Sequence, residues 1–307
     1  MHPLRPDLTE RLWECRSLDI RVWVRETQLP LPPLPVYIPR VQPRQGFESP
    51  KCQALAVPIE RITGSRRVLT AGEMKGILGA PPDTMLIVTS FHLDNILELL
   101  WGKRRELVKA VSGAGYDLVT VPDFSLWDGD TRLEHRYNIA RSLRMFELLV
   151  EAGVPTLLNV SWYLPQRDID DWASFLRGWP GSRAFSIDLA TLNRKRDWAW
   201  GIRGLRRLFE QIGEDWEVLV NGVALKERIA EVSRICGHVH LINERPFQLA
   251  MSRHMTVDEL CTSRTQPTPR AQMDIFAVEA QKMKAAVPVP PGSCRLRAAV
   301  GVPLIAS

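Results

Sequence analysis

The sequence predicts an α/β protein, a TIM-barrel-like parallel (β/α) barrel, irregular or incomplete on its N-terminal side. Two observations predict it. Six short apolar runs between residues 85 and 244 each end in a polar residue, and most are followed by a segment with helical spacing. Strands that alternate with helices build a parallel sheet with helices packed on its outside. In such a sheet, and above all in a closed barrel, an active site gathers at the carboxyl ends of the strands. The length of 307 residues suits one barrel with extensions.

In chain order, residues 1–34 are read as an N-terminal extension with a short helix over Thr9–Arg16. Residues 29–50 are proline-rich (LPLPPLPVYIPRVQPRQGFESP) and extended, wrapping the body. Pro35–Ile38 and Ala54–Ile59 are the first two strands. The six polar-tipped runs follow. Met85–Phe91 leads to His92 and Asp94, Tyr116–Val121 to Asp123, and Pro155–Leu158 to Asn159 and Ser161. Ala184–Ile187 leads to Asp188, Trp216–Val220 to Asn221, and His238–Ile242 to Asn243 and Glu244. Together they make eight, the number that closes a barrel.

Helices are expected over 94–113 with Asp94 as its cap, and over 131–152, where Thr131 and Glu134 have the spacing of a capping box. Asp168–Arg177 is a third, capped by Asp168. Asn193–Ile212 runs to Gly213, Lys226–Cys236 precedes Gly237, and Pro246–Met255 carries proline in its first turn. The barrel domain is thus placed at 35–262. Residues 263–307 are read as a poorly ordered tail, with one further helix over 271–286.

Composition narrows the class. Hydrophobic residues are 45% and charged residues 24%, ordinary for a globular protein. The formal net charge of +5 points mildly toward an anionic partner. Five cysteines, odd in number and without a CxxC pair, argue against a disulfide framework or a cysteine zinc site and for a cytoplasmic location. No signal peptide or membrane span is evident. Ten tryptophans is a high count; Trp101, Trp127, Trp162 and Trp172 fall at element edges.

The strand tips supply the candidate site. Asp123, Asp188 and Asp94 are the candidate catalytic acids, because two carboxylates in different environments can divide acid from base or nucleophile work. His92, Asn159, Ser161, Asn221, Asn243 and Glu244 are candidate substrate-binding groups. The competing reading is that such tips merely cap the next helix. Asp123, Asp128 and Asp130 would be the ligands of a metal site holding Mg²⁺ or Mn²⁺; otherwise no cofactor is expected, and Asp128-Gly129-Asp130 is a turn. His238 and His240 share a strand face opposite Asn243 and are read as outward-facing structural histidines. Arg194, Lys195 and Arg196 follow a strand end and are candidate phosphate-binding residues, with a solvated helix face as the alternative. Walker and dinucleotide loops are missing, and Ser161 and Ser186 lack a nucleophile elbow.

The segment VPDFSLW (121–127), then Asn138 and Arg141, then AGVPTLLNVSW (152–162), resembles an uncharacterised family found in phages, plasmids and bacterial genomes, over roughly 85–245. The resemblance implies shared architecture and a mobile-element context, with no established reaction. More distantly, VLVNGVALKERI (218–229) followed by VHLINERPFQLA (239–250) is similar in layout to the queuine-type transglycosylases, barrel enzymes that exchange a base with two aspartates. Their DSGGFQ motif and cysteine-rich zinc site are missing here. That similarity implies glycosidic-bond chemistry on a nucleotide or nucleic acid. The alternatives are a non-catalytic nucleic-acid-binding accessory and a metal-dependent hydrolase.

Overall fold

The computed structural model describes residues 12–23, 30–43, 52–63, 67–252, 254–256, 262–264 and 271–288. Its strands and helices are β1 (Tyr37–Pro39), β2 (Ala54–Pro58), α1 (Ile59–Ile62), α2 (Ala71–Leu78), β3 (Met85–Thr89), α3 (Asp94–Gly102) and α4 (Arg104–Ser112). They continue with β4 (Leu118–Thr120), α5 (Arg132–Glu151), β5 (Thr156–Leu157), α6 (Pro165–Arg177), β6 (Ala184–Asp188) and α7 (Lys195–Ile212). The last are β7 (Glu217–Asn221), α8 (Lys226–Ile235), β8 (His238–Asn243), α9 (Arg245–Ser252), the strands β9 (His254–Thr256) and β10 (Thr262–Arg264), and α10 (Ala271–Ala286).

β2–β5 form one four-stranded parallel sheet, and β6, β7, β8 and β1 form another. Two single parallel bridges join them, Arg40 with Ala56 and Asn159 with Ser186. Each seam carries short backbone bonds, Val41 N to Ala56 O at 2.8 Å and Ser186 N to Leu158 O at 2.7 Å. The eight strands therefore close in chain order into a TIM-barrel-like (β/α) barrel.

Strand alternation sorts the side chains. Ile38, Ala54, Ala56, Ile87, Leu118, Leu157, Ala184, Leu219 and Ile242 form one apolar cluster to which every barrel strand contributes, and this fills the inside. Leu31 and Leu34 pack against it from the N-terminal segment. Their strand neighbours, such as Val57, Val88, Val119, Phe185, Val220 and Leu241, belong to the larger cluster beneath the helices. Two residues further along the strands the inside turns polar, with Arg40, Thr89, Thr120, Asn159, Ser186, Asn221 and Glu244. Thr89, Thr120, Asn159 and Ser186 are wholly buried. A dry floor thus carries a polar ring at the carboxyl end.

The helices depart from expectation in places. The predicted helix over 94–113 is two, broken at Lys103. Gly102 disfavours helix continuation, and Arg104 Nη1 donates to Trp101 O at 2.9 Å, taking a carbonyl from the helical ladder. The Thr131 capping box forms: Glu134 N donates to Thr131 Oγ1 at 3.3 Å and Thr131 N to Glu134 Oε2 at 2.8 Å. Asp168 is not a cap. α6 begins earlier, at Pro165, and the buried Asp168 carboxylate accepts from Tyr163 N and Leu164 N, both at 2.9 Å, and pairs with Arg132. Within the predicted tail, α10 buries Ile275 and Phe276 and packs on α9 and β1; residues 289–307 lie outside the described residues. The predicted Thr9–Arg16 helix is described only from 12, where Leu12–Glu14 is a 3-10 turn whose Glu14 accepts from Trp101 Nε1 at 2.8 Å.

Candidate active site at the barrel mouth

A cavity of about 270 Å³ opens at the carboxyl end of the barrel. Asp123, Asp188, His92, Ser125, Ser161 and Thr191 give it polar groups; Leu126, Trp127, Trp162, Leu189, Leu192 and Trp200 wall much of the rest. The two acids reach it by different routes. Asp188 ends β6 on the inward face, in line with Ser186 and Ala184. Asp123 lies beyond β4, which stops at Thr120, and alternation from Leu118 would have turned it outward; the loop brings it in.

Their environments differ. Burial pushes the Asp123 carboxyl well above the ordinary range, and the negative charges of Asp188 and then Asp94 add to this; attraction to the Asn159 amide works the other way. Asn159 is fully buried, and its Nδ2 meets no acceptor at full hydrogen-bonding geometry among the described residues, so the amide stands free to turn toward Asp123 or a ligand. Burial also raises Asp188, opposed by donation from Ala190 N at 2.8 Å and Asn221 Nδ2 at 2.9 Å and by the positive charge of Arg40. Asp188 is therefore the better supported anion, and Asp123 the better place for a proton.

Of the other candidates, His92 and Ser161 line the cavity. His92 Nε2 lies 3.0 Å from Glu60 Oε1, and its Nδ1 accepts from Leu93 N at 2.8 Å. Asn221 faces Asp188 and orients it. Glu244 pairs with Arg40 Nε at 3.2 Å. Asp94 differs from expectation: it is the first residue of α3, with Leu93 as cap, and its oxygens are taken by Ser125 Oγ at 2.6 Å and Trp127 Nε1 at 2.7 Å. It braces a loop and does not line the cavity. Asn243 also differs. It lies on the opposite strand face from Ile242, accepting from Tyr37 Oη at 3.1 Å and donating to Val223 O at 2.9 Å.

The three-aspartate metal set does not assemble. Asp123 lines the large cavity, Asp128 Oδ1 accepts from Tyr163 Oη at 2.6 Å, and Asp130 lines a separate water-sized space. Among the described residues no three His, Cys, Asp or Glu side chains are placed to hold a metal. His240 is not outward. It shares the inward face with Ile242 near the opposite barrel end, with Nδ1 donating to Pro35 O at 3.1 Å and Nε2 3.5 Å from Glu217.

Arg194, Lys195 and Arg196 are exposed at the start of α7, directly after the loop whose Leu189, Thr191 and Leu192 line the cavity. Sequence reasoning missed Arg40, Thr191, Trp200 and the placement of Trp127. Arg40 had a signal, since it stands two residues after the inward Ile38; the others come from loops and a helix face, where no alternation exists to read.

α7 shapes the wall. Gly204 backs Trp162: a Cβ there would lie 2.4 Å from Trp162 Nε1. Glycine-to-alanine changes within helices usually stabilise by about 0.5–1 kcal/mol. Gly204→Ala should instead destabilise by about 1–3 kcal/mol, because the overlap must be relieved by moving a buried indole. Thermal denaturation checks the sign, and near-ultraviolet circular dichroism checks the ring's displacement.

No protein-family profile matches the chain, and no curated protein matches it significantly. The fold is similar to a structure described as a fructose-1,6-biphosphate aldolase from Coccidioides immitis, with TM-score 0.51 and 12% identity over 83% of this chain and 89% of that one. A structure described as native KDPGal gives TM-score 0.43 at 11% identity, over 84% of this chain and 100% of that one. One from Aquifex aeolicus VF5 gives 0.44 at 11% identity, over 92% and 98%. The first likeness shows a shared barrel fold. Among the described residues no helix is long and apolar enough to cross a membrane.

Proposed function

We propose that the protein is a cytoplasmic enzyme that cleaves or exchanges a glycosidic bond of a nucleotide or nucleic acid. The observation that carries this reading is the Asp123–Asp188 pair facing one cavity, with Asp123 raised by burial and by its partner's charge. Asp188, held by Ala190 N and Asn221, attacks or stabilises the sugar's anomeric carbon. Asp123 gives its proton to the departing base as the carbon–nitrogen bond breaks. Water or an incoming base then attacks that carbon, Asp123 takes back the proton, and Asp188 is released. Ser161 is placed to bind a sugar hydroxyl, while His92, both of whose ring nitrogens are engaged, packs at the cavity edge. The cavity volume, just below the usual 300–1,000 Å³ of small-molecule sites, suits one nucleoside unit.

The test is release or exchange of free base from nucleosides, nucleotides, single-stranded DNA and RNA, followed by chromatography with parent, Asp123→Asn and Asp188→Asn proteins. The expected result is turnover in the parent and loss in both variants. No release from any substrate, or release at the parental rate by Asp123→Asn, would overturn the reading.

The exposed Arg194–Arg196 run beside the cavity favours a second reading, a nucleic-acid-binding accessory of a mobile element. It also serves the first, as the holder of substrate phosphates. Changing Arg194, Lys195 and Arg196 together to alanine should weaken binding and lower the log–log salt slope by about 0.7–0.9 per lost phosphate contact. Binding to DNA and RNA identical to the parent's at all salt concentrations would make the run a solvated helix start. Full binding strength in the Asp123→Asn and Asp188→Asn proteins with no turnover anywhere would favour the accessory.

A further inference from the structure

The loop Ser125–Trp127 is held from several sides. Asp94 accepts from Ser125 Oγ and Trp127 Nε1, Asn138 Nδ2 donates to Ser125 O at 2.7 Å, and His135 Nε2 donates to Trp127 O at 2.9 Å. Fixing of this kind normally serves a buried side chain. Yet Trp127 as a whole residue is 50% exposed, at the rim of the cavity that holds Asp123 and Asp188. A half-exposed indole held by its N–H at the edge of a cavity is a preorganised planar surface. The ordering cost is met before any ligand arrives.

We infer that Trp127 is a stacking platform for the planar base of a nucleoside or nucleotide bound in this cavity. Every base has a π-face, and stacking on an aromatic side chain is tolerant of base identity. The rest of the lining agrees with such an occupant. Trp162 and Trp200, with ring centroids 6.2 Å apart, and Leu192 give an apolar wall for a base. Ser161, Thr191 and the acids offer partners for a sugar. The exposed Arg194–Arg196 run adjoins the same wall and suits a phosphate. A sugar without an aromatic base would leave the apolar part of the lining unused. This inference rests on the glycosidic reading for its substrate class, but not on turnover.

The experiment is calorimetric titration of the full chain, carrying Asp123→Asn so that ligand is not consumed, with guanosine, adenosine, cytidine, uridine, their 5′-monophosphates and methyl riboside. Trp127→Ala should weaken binding of the base-bearing ligands about 5- to 100-fold and leave methyl riboside unchanged. Trp127→Phe keeps a ring but loses the bond to Asp94, and should keep most of the affinity. Trp127→Leu keeps apolar bulk without a π-face, and should behave like alanine. Thermal denaturation confirms that each variant is folded. Base-bearing ligands that bind Trp127→Ala as they bind the parent, or that do not bind the parent at all, would overturn the platform. Binding through Trp127 in a protein that releases no base would keep the platform and remove the chemistry. Base release and binding both untouched by Trp127→Ala would do the reverse.

Discussion

Asparagine in place of Asp123 should cut turnover by about 100- to 10,000-fold, the usual worth of a positioned general acid, while raising the melting temperature. The amide is nearly isosteric, so packing is kept, but it gives up no proton to a leaving group. The stability gain has a pH signature. A carboxyl of this type titrates near 3.8 when unperturbed, whereas burial and the charge of Asp188 hold the folded Asp123 well above that. Between those two values the folded protein binds a proton that the unfolded chain has released, so the parent loses stability as pH rises through that window. Asparagine removes the loss. Its advantage should be absent below about pH 4, grow through the window and level off above it, at about 1–3 kcal/mol. Melting curves of both proteins across pH, beside their turnover, check this. Equal activity and equal stability would mean that Asp123 is no part of the site.

Alanine in place of Asp168 should cost about 3–5 kcal/mol of stability with no direct effect on chemistry. Asp168 is fully buried and joins α5 to α6 through Arg132, while accepting from the backbone of Tyr163 and Leu164. Alanine would leave a guanidinium and two N–H groups without their acceptor. Here the pH signature is opposite. Burial alone would raise this carboxyl, but the bonds from Arg132, Leu164 N and Tyr163 N outweigh it and hold it below its usual value of 3.8. Its contribution is complete above that value and is lost as pH falls through the folded one. The gap between parent and Asp168→Ala should therefore narrow only on strong acidification. Denaturant unfolding at pH 7 and pH 3 would measure both numbers; a gap that is small at pH 7 would mean that water replaces the carboxylate without loss.

The two acids also illustrate what the sequence could say. Asp188 was legible because it continues a strand: the period of two that puts Ala184 and Ser186 inside the barrel carries through it. Asn159 and Asn221 were legible for the same reason. Asp123 lines the cavity, but not by the alternation that suggests it: β4 ends at Thr120 and the loop, not the pleat, turns Asp123 inward. Asn243 ends β8 and Glu244 follows it, and neighbours along an extended chain face opposite ways; Ile242 settles that Asn243 is the outward one. Asp94 and Asp168 looked like caps because an acid before an apolar helix usually is one. Both hold residues 31 to 36 positions away, which local spacing cannot reveal, although Asp168 also accepts from Tyr163 N and Leu164 N just before its helix. The aromatic wall was least visible, since Trp127 and Trp200 lie on no strand and their direction depends on which loop meets which.

The way the barrel closes bears on how the chain acquires its site. β1 lies near the start of the chain, but its hydrogen-bonding partner is β8, and Tyr37 Oη reaches Asn243 across 206 positions of sequence. A chain made from its N-terminus exposes β1 long before that partner exists, while β2 to β5 can pair with one another as they emerge. Pairings so distant in sequence are entropically late. The final joint is then the capture of residues 37–41 between two half-sheets. Asp123 belongs to one half and Asp188 to the other, but the Asn159–Ser186 seam joins those halves beside the two acids, so the pair can form before β1 finds β8.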